Sequence, residues 1–193
     1  SAEIQHVRVV GEPGIGKSRL VLEAFKQSDS LAATSLYFRQ ATEFQRSPLF
    51  NELLKVGFDG YVIVIADECE ESDRTQMWSV LKGRRHVKLI TIDHGPAAPS
   101  SDPTVLTLEL PALDPKETMA ILQSYMPQGE GLDRWAAYCE GSARVAHAVG
   151  ENLKQNPDDL LRSPSDVPVW QRFVLGYNRM DDAQARQYQT VMR

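Results

Sequence analysis

Residues Gly11-Glu12-Pro13-Gly14-Ile15-Gly16-Lys17-Ser18 fit the pattern G-x-x-x-x-G-K-[ST] at every required position. The chemistry served by this spacing is phosphate binding. Glycines let a loop curl until its backbone N–H groups face an anion, and a helix starting directly after the loop adds its partial positive end. Lys17 would then reach the β and γ phosphates of a nucleotide, and the Ser18 hydroxyl would bind Mg²⁺. Gly11, Glu12, Pro13, Gly14, Ile15, Gly16, Lys17, Ser18 and Arg19 are therefore the candidate nucleotide-binding segment.

A second constellation lies about fifty residues downstream, where Tyr61 to Glu68 (YVIVIADE) ends an apolar run in two carboxylates. Ligands bind at the C-terminal edge of open α/β sheets, and a strand of this kind delivers its acids there. Asp67 is expected in the Mg²⁺ shell, and Glu68 is expected to position and polarise an attacking water. Glu70, Glu71 and Asp73 continue the acidic run and suit the N-terminus of a following helix better than a metal. Cys69 has no activating base, and an acidic neighbourhood raises a thiol pKa, so it reads as a packed residue rather than a nucleophile. His6, His86 and His147 have no partner at metal-ligand spacing, which argues against zinc.

Alternating strand and helix signals must position these residues. His6 to Val10 is a short strand before the Gly-rich turn, and the helix after the turn places Leu20, Val21, Ala24 and Phe25 on one face. Leu36 to Arg39 reads as a second strand, and Ser47-Pro48 as an N-cap and first helical residue, with Gly57 as the stop. Tyr61 to Ala66 is a continuous apolar strand suited to burial on both faces, followed by a helix over Ser72 to Lys82 closed by Gly83. Val87 to Ile92 and Val105 to Leu110 complete five strands, separated by the breaker-rich stretch Gly95 to Pro103 (GPAAPSSDP). The fold class implied is α/β, a three-layer sandwich around a mostly parallel five-stranded sheet, over residues 1–110.

Beyond Leu110 the pattern becomes helical. Asp114-Pro115-Lys116-Glu117 has an acid to cap the helix, Pro at its first position and Glu three residues after the cap. Leu132 to Cys139 and Ala143 to Leu153 are further helical patterns around Glu140-Gly141-Ser142, giving a small all-helical subdomain over 111–160. Residues 161–193 read as the start of a further helical domain cut short. The chain opens Ser1-Ala2 without Met, which suits a fragment of a larger protein.

Composition limits the functions available. The 193 residues are 42% hydrophobic and 24% charged, the balance of a globular chain. A net charge of -5 argues against a protein dominated by phosphate-backbone contacts, so nucleic acid is not an expected partner. No apolar run approaches the roughly 18 residues of a spanning helix, and no signal-peptide pattern is present. Two cysteines in unlike contexts provide neither a metal pair nor a disulfide framework, and a cytoplasmic location is expected.

Taken together, GEPGIGKSRL, the acidic pair in IADE, the strand end LITIDHG, and LELPALDPKETMAIL followed by CEGSARVAHAVGENL resemble STAND-type P-loop ATPases of the AAA+ superclass. The likeness covers roughly Val7 to Leu153. It implies a nucleotide-binding core and a helical lid, then a winged-helix domain that would begin near Trp170 to Gly176. It also implies a switch in a multidomain chain, in which ADP holds a closed state and ATP opens or oligomerises it. Arg144, in Gly141-Ser142-Ala143-Arg144, is similar to the lid arginine of AAA+ proteins that reaches the γ-phosphate, although the proline common in STAND lids is missing. At the end of the fourth strand, where such proteins sense the γ-phosphate, this chain offers Thr91, Asp93 and His94, with His94 standing where arginine is frequent. No arginine finger follows that strand; Arg84 and Arg85 precede it and read either as groups acting on a neighbour or as a solvated helix end.

The expected function is thus an ATP- and ADP-binding, ATP-hydrolysing regulatory module requiring Mg²⁺. Two alternatives stay open: a switch that binds nucleotide with negligible turnover, and a DNA-acting AAA+ ATPase using Lys82 to Lys88 as its phosphate contact.

Overall fold

The computed structural model describes residues 3–127, 129 and 131–164. The chain forms two compact units, the first through Ala112 and the second from Leu113.

In the first unit the strands are β1 (His6–Val10), β2 (Ser35–Phe38), β3 (Val62–Ala66), β4 (Val87–Asp93) and β5 (Val105–Glu109). They make one sheet in the order β2-β3-β4-β1-β5, parallel at every pairing. The helices are α1 (Lys17–Lys26), α2 (Asp29–Ala33), α3 (Ala41–Arg46), α4 (Pro48–Leu54) and α5 (Glu71–Leu81). Alternation along β3 divides the core between the two faces. Ile63 and Ile65 pack with Val9, Ile92 and Val21 of α1, whereas Val62, Val64 and Ala66 pack with Phe44, Leu53, Met77 and Leu81 from α3 to α5. The result is the three-layer α/β sandwich, with a sheet that is wholly rather than mostly parallel.

Several local signals act as their chemistry requires. Ser47 Oγ accepts from Phe50 N at 3.3 Å and Pro48 opens α4, while Glu71 and Asp73 occupy the first turn of α5. Other details differ from the sequence reading. Strand β2 sits one residue earlier, and the short helices α2 and α3 were not expected from periodicity. Only part of the α1 face is inward: Val21 is buried and Phe25 half-buried, but Leu20 is 50% exposed and Ala24 is exposed too. The crossover from β4 to β5, residues 94–104, passes over β1 without forming a helix.

The second unit holds α6 (Pro115–Tyr125), α7 (Leu132–Tyr138), α8 (Ala143–Gln155) and a 3₁₀ turn at Pro157–Leu161. Its core is Leu122, Trp135, Ala146, Val149 and Leu153 with their neighbours. Asp114 and Glu117 form the reciprocal cap of α6, with both bonds at 2.8 Å. Ser142 Oγ caps α8 through Val145 N at 3.3 Å. The expected winged-helix segment at Trp170 to Gly176 lies outside the described residues.

Among the described residues, no helix is long and apolar enough to cross a membrane.

Candidate nucleotide site

The Gly-rich loop joins the end of β1 to α1, on the sheet edge where β3 also ends. Gly11 adopts φ 147° beside Leu110, and a Cβ there would meet the Ile15 side chain and the Leu110 carbonyl oxygen at 2.8 Å. Gly16 caps α1 at φ 100°, a conformation that side-chain-bearing residues rarely take. The ten-residue helix α1 receives no side-chain cap and has no acid in its first turn, so its N-terminal end keeps its positive character for an anion. Glu12 and Pro13 are exposed on the loop, Gly14 is half-buried, and Ile15 is buried beneath it. Arg19 is exposed and pairs with Glu23 at 2.8 Å, along the helix surface.

Lys17 is buried, although its terminus is fully engaged in polar contacts. Its Nζ donates to the Gly11 carbonyl at 2.8 Å and to that of Glu12 at 2.9 Å, and lies 2.9 Å from His94 Nδ1. An ammonium only donates, so Nδ1 is the acceptor and a neutral His94 carries its proton on Nε2. That nitrogen faces Glu68 Oε2 at 3.3 Å. His94 therefore stands between the loop lysine and the acid read as the water-activating group. Thr91 and Asp93 do not share this position. Thr91 is fully buried with its Oγ1 2.9 Å from His6 Nε2. Asp93 accepts from Arg8 Nε and Nη2 at 2.7 and 2.8 Å, from Arg74 Nη1 at 3.2 Å and from Gly95 N at 2.8 Å. Burial raises its pKa, but the Arg8 bonds and the Gly95 amide outweigh that and leave it below the usual carboxylate range.

On the other side of the loop, Ser18 Oγ donates to Asp67 Oδ2 at 2.6 Å. A hydroxyl and a carboxylate oxygen this close are hard donors of the type that bind Mg²⁺, which takes one or two protein ligands and completes its shell with water and phosphate. Among the described residues, no group of three or more His, Cys, Asp or Glu side chains is arranged to hold a metal ion. Asp67 Oδ1 accepts from Glu68 N at 2.8 Å, and Glu68 itself takes φ 43°. That left-handed turn ends β3 and separates the directions of the two acids.

Tyr37 of β2 was not singled out from sequence. Its phenol donates to Asp67 Oδ2 at 2.6 Å, the oxygen that Ser18 also contacts. Burial and the bond to Asp67 push its pKa to about 12, so it remains a donor at neutral pH. The only advance signal was a tyrosine in the strand that comes to lie beside YVIVIADE.

Other candidates are placed elsewhere. Cys69 is buried and its thiol is pushed up to about 12 by that burial, which excludes a thiolate nucleophile at neutral pH. Arg84 donates to the Leu54 and Lys55 carbonyls at 2.7 and 3.2 Å, where it closes the end of α4, while Arg85 is exposed. Lys82 pairs with Asp102 at 2.8 Å and Lys88 with Glu3 at 2.5 Å, so these two of the four cations in the basic stretch are matched by local acids. Arg144 is exposed in the first turn of α8, within the second unit.

No protein-family model matches the chain, and no curated protein sequence matches it. Solved structures do. A RuvB variant from Thermotoga maritima carrying a proline-to-glycine substitution is similar over 97% of this chain and 62% of its own, at 14% identity and a TM-score of 0.54. An arginine-to-alanine variant of the same protein is similar over 97% and 61%, at 13% identity and a TM-score of 0.51. A STAND protein with a tetratricopeptide repeat sensor from Pyrococcus horikoshii aligns over 80% of this chain and 28% of its own, at 14% identity and a TM-score of 0.49. The chain thus spans less than two thirds of the length of the RuvB structures it matches. The likeness to them shows a shared fold.

Proposed function

We propose that the first unit binds ATP and ADP together with Mg²⁺ and hydrolyses ATP, as the nucleotide-dependent module of a larger cytoplasmic protein. The observation that carries this reading is the convergence of Lys17, Ser18, Asp67, Glu68 and His94 at one sheet edge, with Ser18 Oγ 2.6 Å from Asp67 Oδ2. The α1 N-terminus and the Gly11 to Gly16 amides cradle the phosphates, and Lys17 exchanges its carbonyl and imidazole acceptors for β and γ oxygens. Ser18 and Asp67 hold the metal and its waters. Mg²⁺, when bound, offsets phosphate charge. Glu68 takes the proton of the attacking water, and His94 Nε2–H orients that carboxylate.

The regulatory side of the reading is the helical second unit acting as a lid whose Arg144 distinguishes ATP from ADP, with the state passed to further domains or to a homo-oligomer. It is supported by the resemblance of the CEGSARVAHAVGENL segment to AAA+ lids. A decisive comparison is single-turnover hydrolysis by wild type and Glu68→Gln, alongside nucleotide affinity. Glu68→Gln should bind ATP as wild type does and turn it over about 10²-fold or more slower. Equal turnover would refute Glu68 as the base, and measurable binding with no turnover in either protein would leave a non-hydrolysing switch.

A further inference from the structure

Strand β1 carries a cation where a sheet interior ordinarily carries an apolar side chain: Arg8, between Val7 and Val9, is only 7% exposed. A guanidinium is costly to bury unless its donors are matched. Those of Arg8 converge on one turn. Nε and Nη2 donate to the two oxygens of Asp93 at 2.7 and 2.8 Å, and Nη1 donates to the Pro96 carbonyl at 3.0 Å. Asp93 and Pro96 stand on either side of His94-Gly95. Gly95 N closes the turn by donating to Asp93 Oδ1 at 2.8 Å, and a Cβ on Gly95 would come within 2.8 Å of Arg8 Nη2, so the turn is shaped around the guanidinium.

Asp93 also reaches α5, because the half-buried Arg74 donates to its Oδ2 through Nη1 at 3.2 Å. One buried carboxylate thereby joins β1, β4 and α5. Each of these elements adjoins one part of the candidate site: β1 runs into the loop before Lys17, β4 runs into His94, and α5 is entered from the segment that carries Glu68. That segment is tied to the same place, since Cys69 N donates to the Ile92 carbonyl at 3.0 Å. From the turn so held, the His94 imidazole spans from Lys17 Nζ at 2.9 Å to Glu68 Oε2 at 3.3 Å.

We propose that Arg8 and Arg74 are positioning residues for hydrolysis, acting through Asp93 to hold the His94 imidazole between Lys17 and Glu68. A guanidinium fork fixes the direction of a carboxylate as well as its place, which the point charge of a lysine does not. The placing of His94 stands on these contacts, whereas its value for hydrolysis rests on the proposed function. A displacement of about 1 Å in a positioned group costs up to about 10²-fold in rate, so a loosened turn is felt at Glu68 although neither arginine is assigned to nucleotide or water.

Removing one partner would leave the other charge buried, so the test uses the paired replacement Arg8→Met/Asp93→Leu, in which Arg74 keeps Glu71 at 3.8 Å, together with Arg8→Lys, which retains the charge without the fork. Two readouts are taken: nitrogen NMR of the His94 imidazole at mildly alkaline pH without nucleotide, and single-turnover hydrolysis with saturating ATP and Mg²⁺. Wild type should show a single tautomer, with the proton on Nε2 and Nδ1 as acceptor. Both variants should move His94 toward the mixed tautomers of free imidazole and slow turnover by about tenfold or more, with ATP affinity within about twofold of wild type. If the paired replacement does not fold, Arg8→Lys decides. A merely structural cluster would change melting and move neither readout. An unshifted imidazole, or a shifted one with wild-type turnover, would overturn the proposal. Absence of turnover in wild type would refute the proposed hydrolysis instead, and the imidazole alone would then decide whether Arg8 places His94.

Discussion

At the scale of single residues, the site is a set of shared acceptors. Asp67 Oδ2 serves both Ser18 and Tyr37, each at 2.6 Å. If a bound metal drew the Ser18 oxygen away, Tyr37 would be the donor left to hold that carboxylate in place. Tyr37→Phe should therefore raise the Mg²⁺ concentration needed for half-maximal nucleotide binding several-fold, for a lost bond of about 1 kcal/mol. Melting should shift little, because Tyr37 is half exposed; an unchanged Mg²⁺ requirement would remove Tyr37 from the site. The glycines, Lys17 and the acids were legible because their chemistry is written in local spacing. Tyr37 was not, and His94 was marked only as a γ-phosphate sensor through the family resemblance, because the contacts of both depend on which strands are neighbours. With β4 between β1 and β3, His94 falls between Lys17 and Glu68, and no local pattern encodes that order.

At the scale of elements, caps set where helices begin. The reciprocal Asp114–Glu117 cap satisfies two backbone donors at the start of α6, whose Leu122 lies in the core of the second unit. Asp114→Ala should destabilise that unit by about 1 kcal/mol, read as a lowered denaturation midpoint with an unchanged slope. This start was legible because its signal spans four residues. Helices α2 and α3 were not, since five or six residues hold too little periodicity to register. Leu20 and Ala24 misled for a related reason: the apolar face read from periodicity is wider than the strip that meets the sheet, and Val21 with Phe25 fills that strip.

At the scale of the whole molecule, the sheet holds a neutral histidine in its interior. Burial lowers the His6 pKa to about 4. The unfolded chain therefore binds a proton near pH 6.5 that the folded chain refuses, so the contribution is complete above that pH and is lost as pH falls toward 4. Wild-type stability should drop by about 2 kcal/mol between pH 7 and 5, and His6→Gln should flatten that slope. A wild-type stability independent of pH in this window would contradict the buried neutral state.

The central claim, that the Gly11 to Ser18 loop holds nucleotide phosphates, is tested most directly by titrating ATP and ADP, with Mg²⁺, into wild type and Lys17→Ala. Lys17 supplies the cation of the loop, and Gly11 and Glu12 carbonyls stand within 2.9 Å of its terminus. The account predicts saturable binding of both nucleotides by wild type and loss of most of that affinity in Lys17→Ala, with an unchanged far-ultraviolet spectrum. Equal affinity in the two proteins, or no binding by wild type, would contradict it.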